Sequence, residues 1–563
     1  MNTDNNQEQE HNQPNVSEAF EQNAQLAHAS QGYQASGQPY VYAPQWQGHV
    51  VKEKRENLFK PDLTDAAFAM IVFVLGYLFS SLVFFSWHGW GVSLYISVFL
   101  MCVSGYLLIK KRFVMSINTV FWLSTTWLIG MSYAFWENTW LAVIRALFLL
   151  GSTAYFVLVA SGNTFKARTD NYLIIDGFVM SIILPFRNYF NQYVSFSVLA
   201  KGDKKGKILP VFIGIVVAVL IGALIIPLLE TADAGGFGFV LNFFREIFRI
   251  EIMTIIYIIV AIPVAAYIYG LVSGAAHKKG TDIIKPESAE KTVDALRVVS
   301  PLTINTILGV VCAVYLVFIF SQLPYFFSAF TGVRPAGWLY YSEFARHGFF
   351  ELCWIAAINL TILIASNLCN KKLRIESKTL KIFNIVLASI TLVLIATAFS
   401  KMALYINVFG LTMLRLLPCV FMVFMAIVFV ALIVLQKWNF SIVKFSLIVG
   451  SIILVTLCLS NPDAMVVRYN ANRYMSGTLE TFDVEIARRA GFAGVLPAIE
   501  VYEWTQNEKL QAELHTYLSG RTADLRYWRY NRSRNHEFSF ELLRARNAAI
   551  SAGFLRISPD QSP

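Results

Sequence analysis

Two places in the sequence gather residue types able to do chemistry. The denser is the run Tyr340-Tyr341-Ser342-Glu343-Phe344-Ala345-Arg346-His347-Gly348-Phe349-Phe350-Glu351. On a helix, Glu343, His347 and Glu351 recur at i, i+4 and i+8 and share one face, with Arg346 beside them and Asn359 two turns deeper. An imidazole between two carboxylates could relay protons or hold a divalent cation, because His titrates near neutral pH and is a common metal ligand. The same residues could instead be an ion-paired helix start, with glutamates offsetting the dipole and Arg346 paired to Glu343. The second place is Arg145, whose charge falls inside an apolar run, where it is costly unless it snorkels past Trp140 toward Glu137 or lines a polar cavity.

Weaker patterns accompany these. Seven arginines between Arg521 and Arg546 interleave with Tyr527, Trp528, Tyr530, Phe538 and Phe540, a composition suited to anionic polymers or lipid headgroups and equally to Arg–aromatic packing. Pro263, followed by Gly270 and Gly274, reads as a hinge or as a close helix contact. There is no HExxH, and Gly202-Asp-Lys-Lys-Gly206-Lys207-Ile208 is one residue short of a phosphate loop and lacks its Ser/Thr. Ser273 and His277 have neither an acid nor an oxyanion motif beside them. The six cysteines form no CxxC, so neither a disulfide framework nor a zinc site is expected, and no cofactor or metal is assigned.

The elements that must carry these residues are set by composition. Of 563 residues, 56% are hydrophobic and 15% charged, and the mean hydropathy is +0.53. A soluble chain would be about 25% charged. These values exclude a soluble globular enzyme, a disordered chain and a fibrous one. The reading is all-α, a polytopic transmembrane helix bundle. Apolar runs long enough to cross a ~30 Å hydrocarbon layer fall near 65–86, 90–110, 116–136, 139–161, 208–229, 252–273, 301–323, 347–368, 380–400, 412–436 and 443–460, eleven in all.

Charge placement gives the topology. With the N-terminus inside, loops assigned to the cytoplasm hold 26 Lys and Arg, from Lys52 to Lys444, and the opposite loops hold six: Arg245, Arg249, Arg334, Arg346, Lys401 and Arg415. That bias also accounts for the net charge of +10, and no basic stripe suited to nucleic acid remains, so no nucleic-acid partner is expected. Residues 1–64 are polar and read as a disordered cytoplasmic tail. Tyr172–Phe186 is apolar but short and flanked by basic residues, so 172–200 reads as an interfacial or re-entrant segment within the 65–460 bundle.

After Ser460 there are 13 Lys and Arg against 12 Asp and Glu, which marks residues 461–563 as a soluble extracytoplasmic domain of four to six short helices. Asn461-Pro462-Asp463 reads as a helix start stopped by Gly477, Thr481 as the cap of a helix over 483–490, and Gly520 as the end of one over 507–518.

Two passages carry a resemblance. Tyr341-Ser-Glu-Phe-Ala-Arg-His-Gly-Phe-Phe-Glu-Leu352, with Asn359 following, resembles the signature of a bacterial polytopic membrane family common in Gram-positive organisms and catalogued only as a domain of unknown function. Asn461 to Glu500, with Asn470-Ala-Asn-Arg-Tyr474 and Leu479-Glu-Thr-Phe-Asp483, is similar to that family's C-terminal helical segment, and the likeness extends over roughly residues 60–550. It implies an α-helical protein of the bacterial plasma (inner) membrane and supplies no reaction. The expected partners are the lipid bilayer and an envelope ligand or membrane protein. The functional expectation is a non-enzymatic envelope sensor or scaffold; the alternative is a carrier of a small or amphiphilic substrate lined by Arg145, Glu343, His347 and Glu351.

Overall fold

Helix starts in this chain are fixed by side chains that satisfy orphan amides. Asp62 accepts from the Asp65 amide while the Asp65 carboxylate accepts from the Asp62 amide, a reciprocal pair that begins α1 (Leu63–Phe79). Ser116 caps α3 (Ile117–Phe135), Ser377 caps α11 (Lys378–Phe409), and Ser441 caps α13 (Ile442–Leu459). The computed structural model describes residues 59–164, 173–199, 252–278, 294–331, 349–530 and 538–555, with a few isolated positions between 214 and 291.

The remaining long apolar helices are α2 (Trp90–Ile109), α4 (Ala142–Ala160), α8 (Ile252–Ala276), α9 (Pro301–Thr331), α10 (Phe349–Cys369) and α12 (Met413–Lys437). Among the described residues, nine helices are long and apolar enough to cross a membrane. They match the expected spans except two. The span at 116–136 is the helix α3, less apolar than the rest because it carries Asn118, Ser124, Thr125 and Thr126. The span at 208–229 lies outside the described residues apart from single helical positions. Large side chains such as Ile117, Leu302 and Trp354 stand exposed on these helices, as a bilayer-facing surface requires. The chain is a multi-pass membrane protein.

Among the described residues the bundle has two apolar cores. One is built by α1, α2, α3, α4 and α8, with Phe68, Val72, Phe99, Trp122, Phe156 and Tyr269 buried in it. The other joins α9 to α12 around Leu308, Leu387, Leu394, Met425 and Phe429. Between them runs α13, which packs on α3 and α12 and sends Val455 and Cys458 into the first core.

The described part of the segment after α4 is not among the helices long and apolar enough to cross a membrane. Residues Leu173–Phe178 (α5), a π turn and Leu184–Arg187 (α6) form one helical stretch, too short at 1.5 Å per residue to cross ~30 Å. A break at Asn188 leads to α7 (Asn191–Phe196). Gly270 and Gly274 of α8 make room for it, since a Cβ at Gly270 would collide with the Pro185 carbonyl oxygen and one at Gly274 would lie 2.5 Å from Asn188 Nδ2. The Gln192 amide donates to the Ala69 carbonyl at 3.0 Å, and the Ser195 and Tyr269 hydroxyls share a 2.6 Å hydrogen bond. Pro263 does not end α8. Beside it, a Cβ at Gly76 would sit 2.6 Å from the Ala261 oxygen, so this stretch is a close helix contact.

Beyond the last span follow α14 (Pro462–Met475), α15 (Val484–Arg489), α16 (Val495–Trp504), α17 (Glu508–Tyr530) and α18 (Phe540–Ser551), with their own core around Val467, Ala487, Val501, Leu514, Leu518 and Leu542. Asn461 caps α14 as its sequence indicates, and Gly477, at φ +71°, takes the left-handed conformation after it. Two expectations are corrected. The cap of α15 is Asp483, whose carboxylate accepts from the Glu485 amide, and not Thr481. Gly520 does not end α17, because the helix runs on to Tyr530 and a central glycine costs only about 1 kcal/mol.

Candidate functional site

Where α3 gives way to α4, the chain turns through Trp136, Glu137 and Asn138, and this turn meets α13, α14 and α18. Arg145, one turn into α4 and 1% exposed, reaches back to it. Its guanidinium donates to the Trp136 carbonyl at 3.0 Å and the Glu137 carbonyl at 2.6 Å, and stacks 3.7 Å over the Tyr133 ring. The Trp136 indole donates to the Leu459 carbonyl at 2.8 Å and the Asn138 amide to the Cys458 carbonyl at 2.7 Å, closing the end of α13.

Three carboxylates gather around this cation. Glu541 of α18, 4% exposed, accepts from the Glu137 backbone amide at 3.0 Å and from Asn461 Nδ2 at 2.6 Å. Asp463 of α14 is 2% exposed, and the group that acts on its carboxylate as a hydrogen-bond donor is the Thr139 backbone amide. Burial, reinforced by the Glu541 charge, pushes Glu137 and Asp463 each up to about 7, only partly offset by Arg521 and Arg145 at Glu137 and by the Thr139 amide and Arg145 at Asp463. Burial likewise raises Glu541. Near neutral pH the cluster therefore holds protons that exposed carboxylates would have released.

The same seam has a second and a third contact. The Asn470 side chain brackets the α11–α12 turn, accepting from the Leu411 amide at 2.8 Å and donating to the Leu411 carbonyl at 2.7 Å, while Arg473 donates to the Asn407 carbonyl at 2.7 Å. On the opposite side Phe540 stacks on Phe135 at 5.4 Å, and the Trp90 amide donates to the Phe538 carbonyl at 3.0 Å. The C-terminal helices thus touch the ends of both bundle halves. Between them, the turn ahead of α4, and α10, α11 and α12 lies a cavity of about 400 Å³, lined among others by Trp140, Met402, Tyr405, Arg415, Asp463 and Arg489.

A family model described as "Domain of unknown function (DUF4153)" matches residues 123–501, which runs from α3 through α16. The chain belongs to this family. No curated protein and no solved structure matches it. The DUF4153 region contains Glu137, Arg145, Asp463 and every residue of the cavity wall, and Glu541 lies beyond it.

Of the residues singled out from sequence, Arg145, Glu351 and Asn359 are among the described residues. Glu343, Arg346 and His347 lie outside the described residues of this DUF4153 protein. Glu351 is exposed in the first turn of α10, and the charge it meets is Lys401 of α11. Asn359, fully buried, accepts from the Tyr315 hydroxyl at 2.8 Å and donates to Thr391 Oγ1 at 2.9 Å, which ties α9, α10 and α11 together. Arg145 does turn toward Glu137, but it bonds backbone carbonyls and stacks on Tyr133, not on Trp140. In the arginine-rich stretch, Arg521 pairs with Asp524 at 3.2 Å and donates to the Arg488 carbonyl, so there it is a packing residue.

A further polar centre was not visible in the sequence. Asp65, fully buried at the start of α1, receives Lys110 Nζ at 2.8 Å, the Tyr106 hydroxyl at 2.7 Å and His277 Nε2 at 3.0 Å. It joins α1, the end of α2 and the end of α8. Phe59 packs edge-on against His277 at 5.1 Å, so the packed body begins ahead of the first span. Among the described residues no group of three His, Cys, Asp or Glu is placed to hold a metal.

Proposed function

We propose that this DUF4153 protein is a non-enzymatic envelope sensor or scaffold of the bacterial plasma membrane, with its N-terminus cytoplasmic and residues 461–563 as an extracytoplasmic domain. The observation that carries the reading is the seam. Helices α14 to α18 have a core of their own, yet they are fastened to both bundle halves by polar contacts, at Glu137 and Trp90 on one side and at Leu411 and Asn407 on the other. A domain held in this way can report a change at its surface to two groups of membrane helices. The orientation rests on the 26 to 6 distribution of Lys and Arg.

The carrier alternative needs a water-filled route to the membrane interior. Asn359, a fully buried polar residue of the α9–α12 half, spends its amide on Tyr315 and Thr391, which favours a static lock. Truncation after Ser460 tests the reading. The sensor or scaffold reading predicts that the truncated chain still inserts in the membrane but reproduces the phenotype of complete gene loss. A truncated chain with wild-type behaviour would overturn it. A cysteine at position 359 in a cysteine-free background should stay unreactive to charged thiol reagents; rapid labelling from one side of the membrane would favour the carrier.

A further inference from the structure

The seam is fastened on its two sides by different chemistry. At the α11–α12 turn the contacts are an amide and a guanidinium on backbone groups, Asn470 on Leu411 and Arg473 on the Asn407 carbonyl. At the α3–α4 turn they run through carboxylates. Glu541 of α18 accepts from the Glu137 amide at 3.0 Å, and Asp463 of α14 accepts from the Thr139 amide. Glu137 itself is half-buried against the domain, since a Cβ on Gly491 would lie 3.3 Å from its Oε2. Three acidic side chains from three elements therefore meet where the C-terminal helices touch the first half of the bundle, two of them fully enclosed.

The cations around them are engaged elsewhere. Arg145 of α4 donates to the Trp136 and Glu137 carbonyls, and Arg521 of α17, whose charge reaches Glu137, pairs with Asp524 and donates to the Arg488 carbonyl. Arg468 of α14, in the small recess beside Glu541, is paired with Glu500 at 2.9 Å, and Arg544 of α18 lines the same recess. Tyr133 of α3 and Cys458 of α13 adjoin Arg145 and are neutral near pH 7. With all three acids ionised, the docked seam holds like charges taken out of water without a close ion partner, which is costly. With protons on them the same groups are buried as neutral acids. Released into water they ionise near pH 4, so the docked form holds protons that the released form gives up, and docking weakens as pH rises toward about 7.

We propose that protons on Glu137, Asp463 and Glu541 hold helices α14 to α18 on the α3–α4 turn, and that losing them to water releases the helices from this turn while the attachment at the α11–α12 turn persists. The inference deepens the sensing reading by giving it the proton as stimulus, and it rests on that reading for its meaning in the cell.

The test is a pair of distances measured by pulsed dipolar spectroscopy on the full chain in nanodiscs, in a cysteine-free background, at pH 5.5 and pH 8. One pair of spin labels sits at His88→Cys in the α1–α2 turn and Ala512→Cys on α17; the other joins Val408→Cys, near the end of α11, to Ala512→Cys, all at exposed positions. At pH 5.5 each pair should give a single distance. At pH 8 the His88–Ala512 pair should gain a longer one, with the docked-to-released ratio lower by at least about tenfold, while the Val408–Ala512 distance changes less. Asp463→Asn combined with Glu541→Gln keeps the shapes without the charges and should hold the short distance at both pH values; where the double variant does not fold, either single variant should show a smaller response than the wild type. An unchanged His88–Ala512 distance in the wild type, a response undiminished in the variants, or equal lengthening of both pairs overturns the proposal. Distances on the purified chain are independent of the truncation phenotype, so the switch and the sensing role can fail separately.

Discussion

At the scale of single residues the account turns on Glu137, Asp463, Glu541 and the cation among them. Glu137 and Asp463 are pushed up to about 7, first by burial and then by the Glu541 charge. The folded state therefore binds protons that the unfolded chain, with ordinary carboxylates, gives up near pH 4. Their contribution to stability is fully present below that pH and is lost as pH rises to about 7. Thermal unfolding of the purified chain followed from pH 5 to pH 8 should show a falling melting temperature, and Asp463→Asn should flatten that slope and raise the value at pH 8. A melting temperature that rises over the same interval would contradict the assignment. Arg145→Leu removes the cation and leaves the Trp136 and Glu137 carbonyls without their donor. A loss of about 3 kcal/mol is expected, seen as reduced folded yield in detergent, and Arg145→Lys should recover only part because a lysine cannot serve two carbonyls and stack on Tyr133.

Among the elements, nine of the eleven expected spans were legible in the sequence because length and hydropathy are local properties that the bilayer reads directly. Capping was nearly as legible: Asn461-Pro462 starts α14 where its residue types place it. Thr481 and Gly520 misled because a cap and a stop are decided by what else is within reach. Asp483 was the better-placed acceptor for α15, and the packed length of α17 outweighs one glycine. The Gly270 and Gly274 pair reads from sequence as a hinge or a close contact, and its contact partner, the broken segment Leu184–Asn188, is about eighty residues earlier and carries no matching pattern. Gly270→Ala should cost about 1–3 kcal/mol through the collision with Pro185. Gly105→Ala in α2, where a Cβ meets nothing within 4 Å, is the control and should be neutral or slightly stabilising. Equal melting temperatures for the two variants would mean that the segment is not seated on α8.

At the scale of the whole molecule the informative contacts are those least visible in a one-dimensional reading. The Glu137 amide and the Glu541 carboxylate are 404 positions apart, and the Trp136 indole and the Leu459 carbonyl 323. Neither pair has a spacing that any periodicity could reveal, whereas the Glu343–His347–Glu351 face stood out because it is local. Charge asymmetry, which sums over many loops, supports the proposed topology in which the C-terminal helices lie outside. The polar fastening of α14 to the α11–α12 turn and of α18 to α2 and α3 fits a domain that spans both halves on that side. The most direct measurement is the sidedness of Pro563, read by a pair of fused reporters of which one is active only in the cytoplasm and the other only beyond the membrane. The account predicts signal from the external reporter alone. Signal from the cytoplasmic reporter alone would contradict it, placing the seam, its carboxylates and the cavity on the inner face.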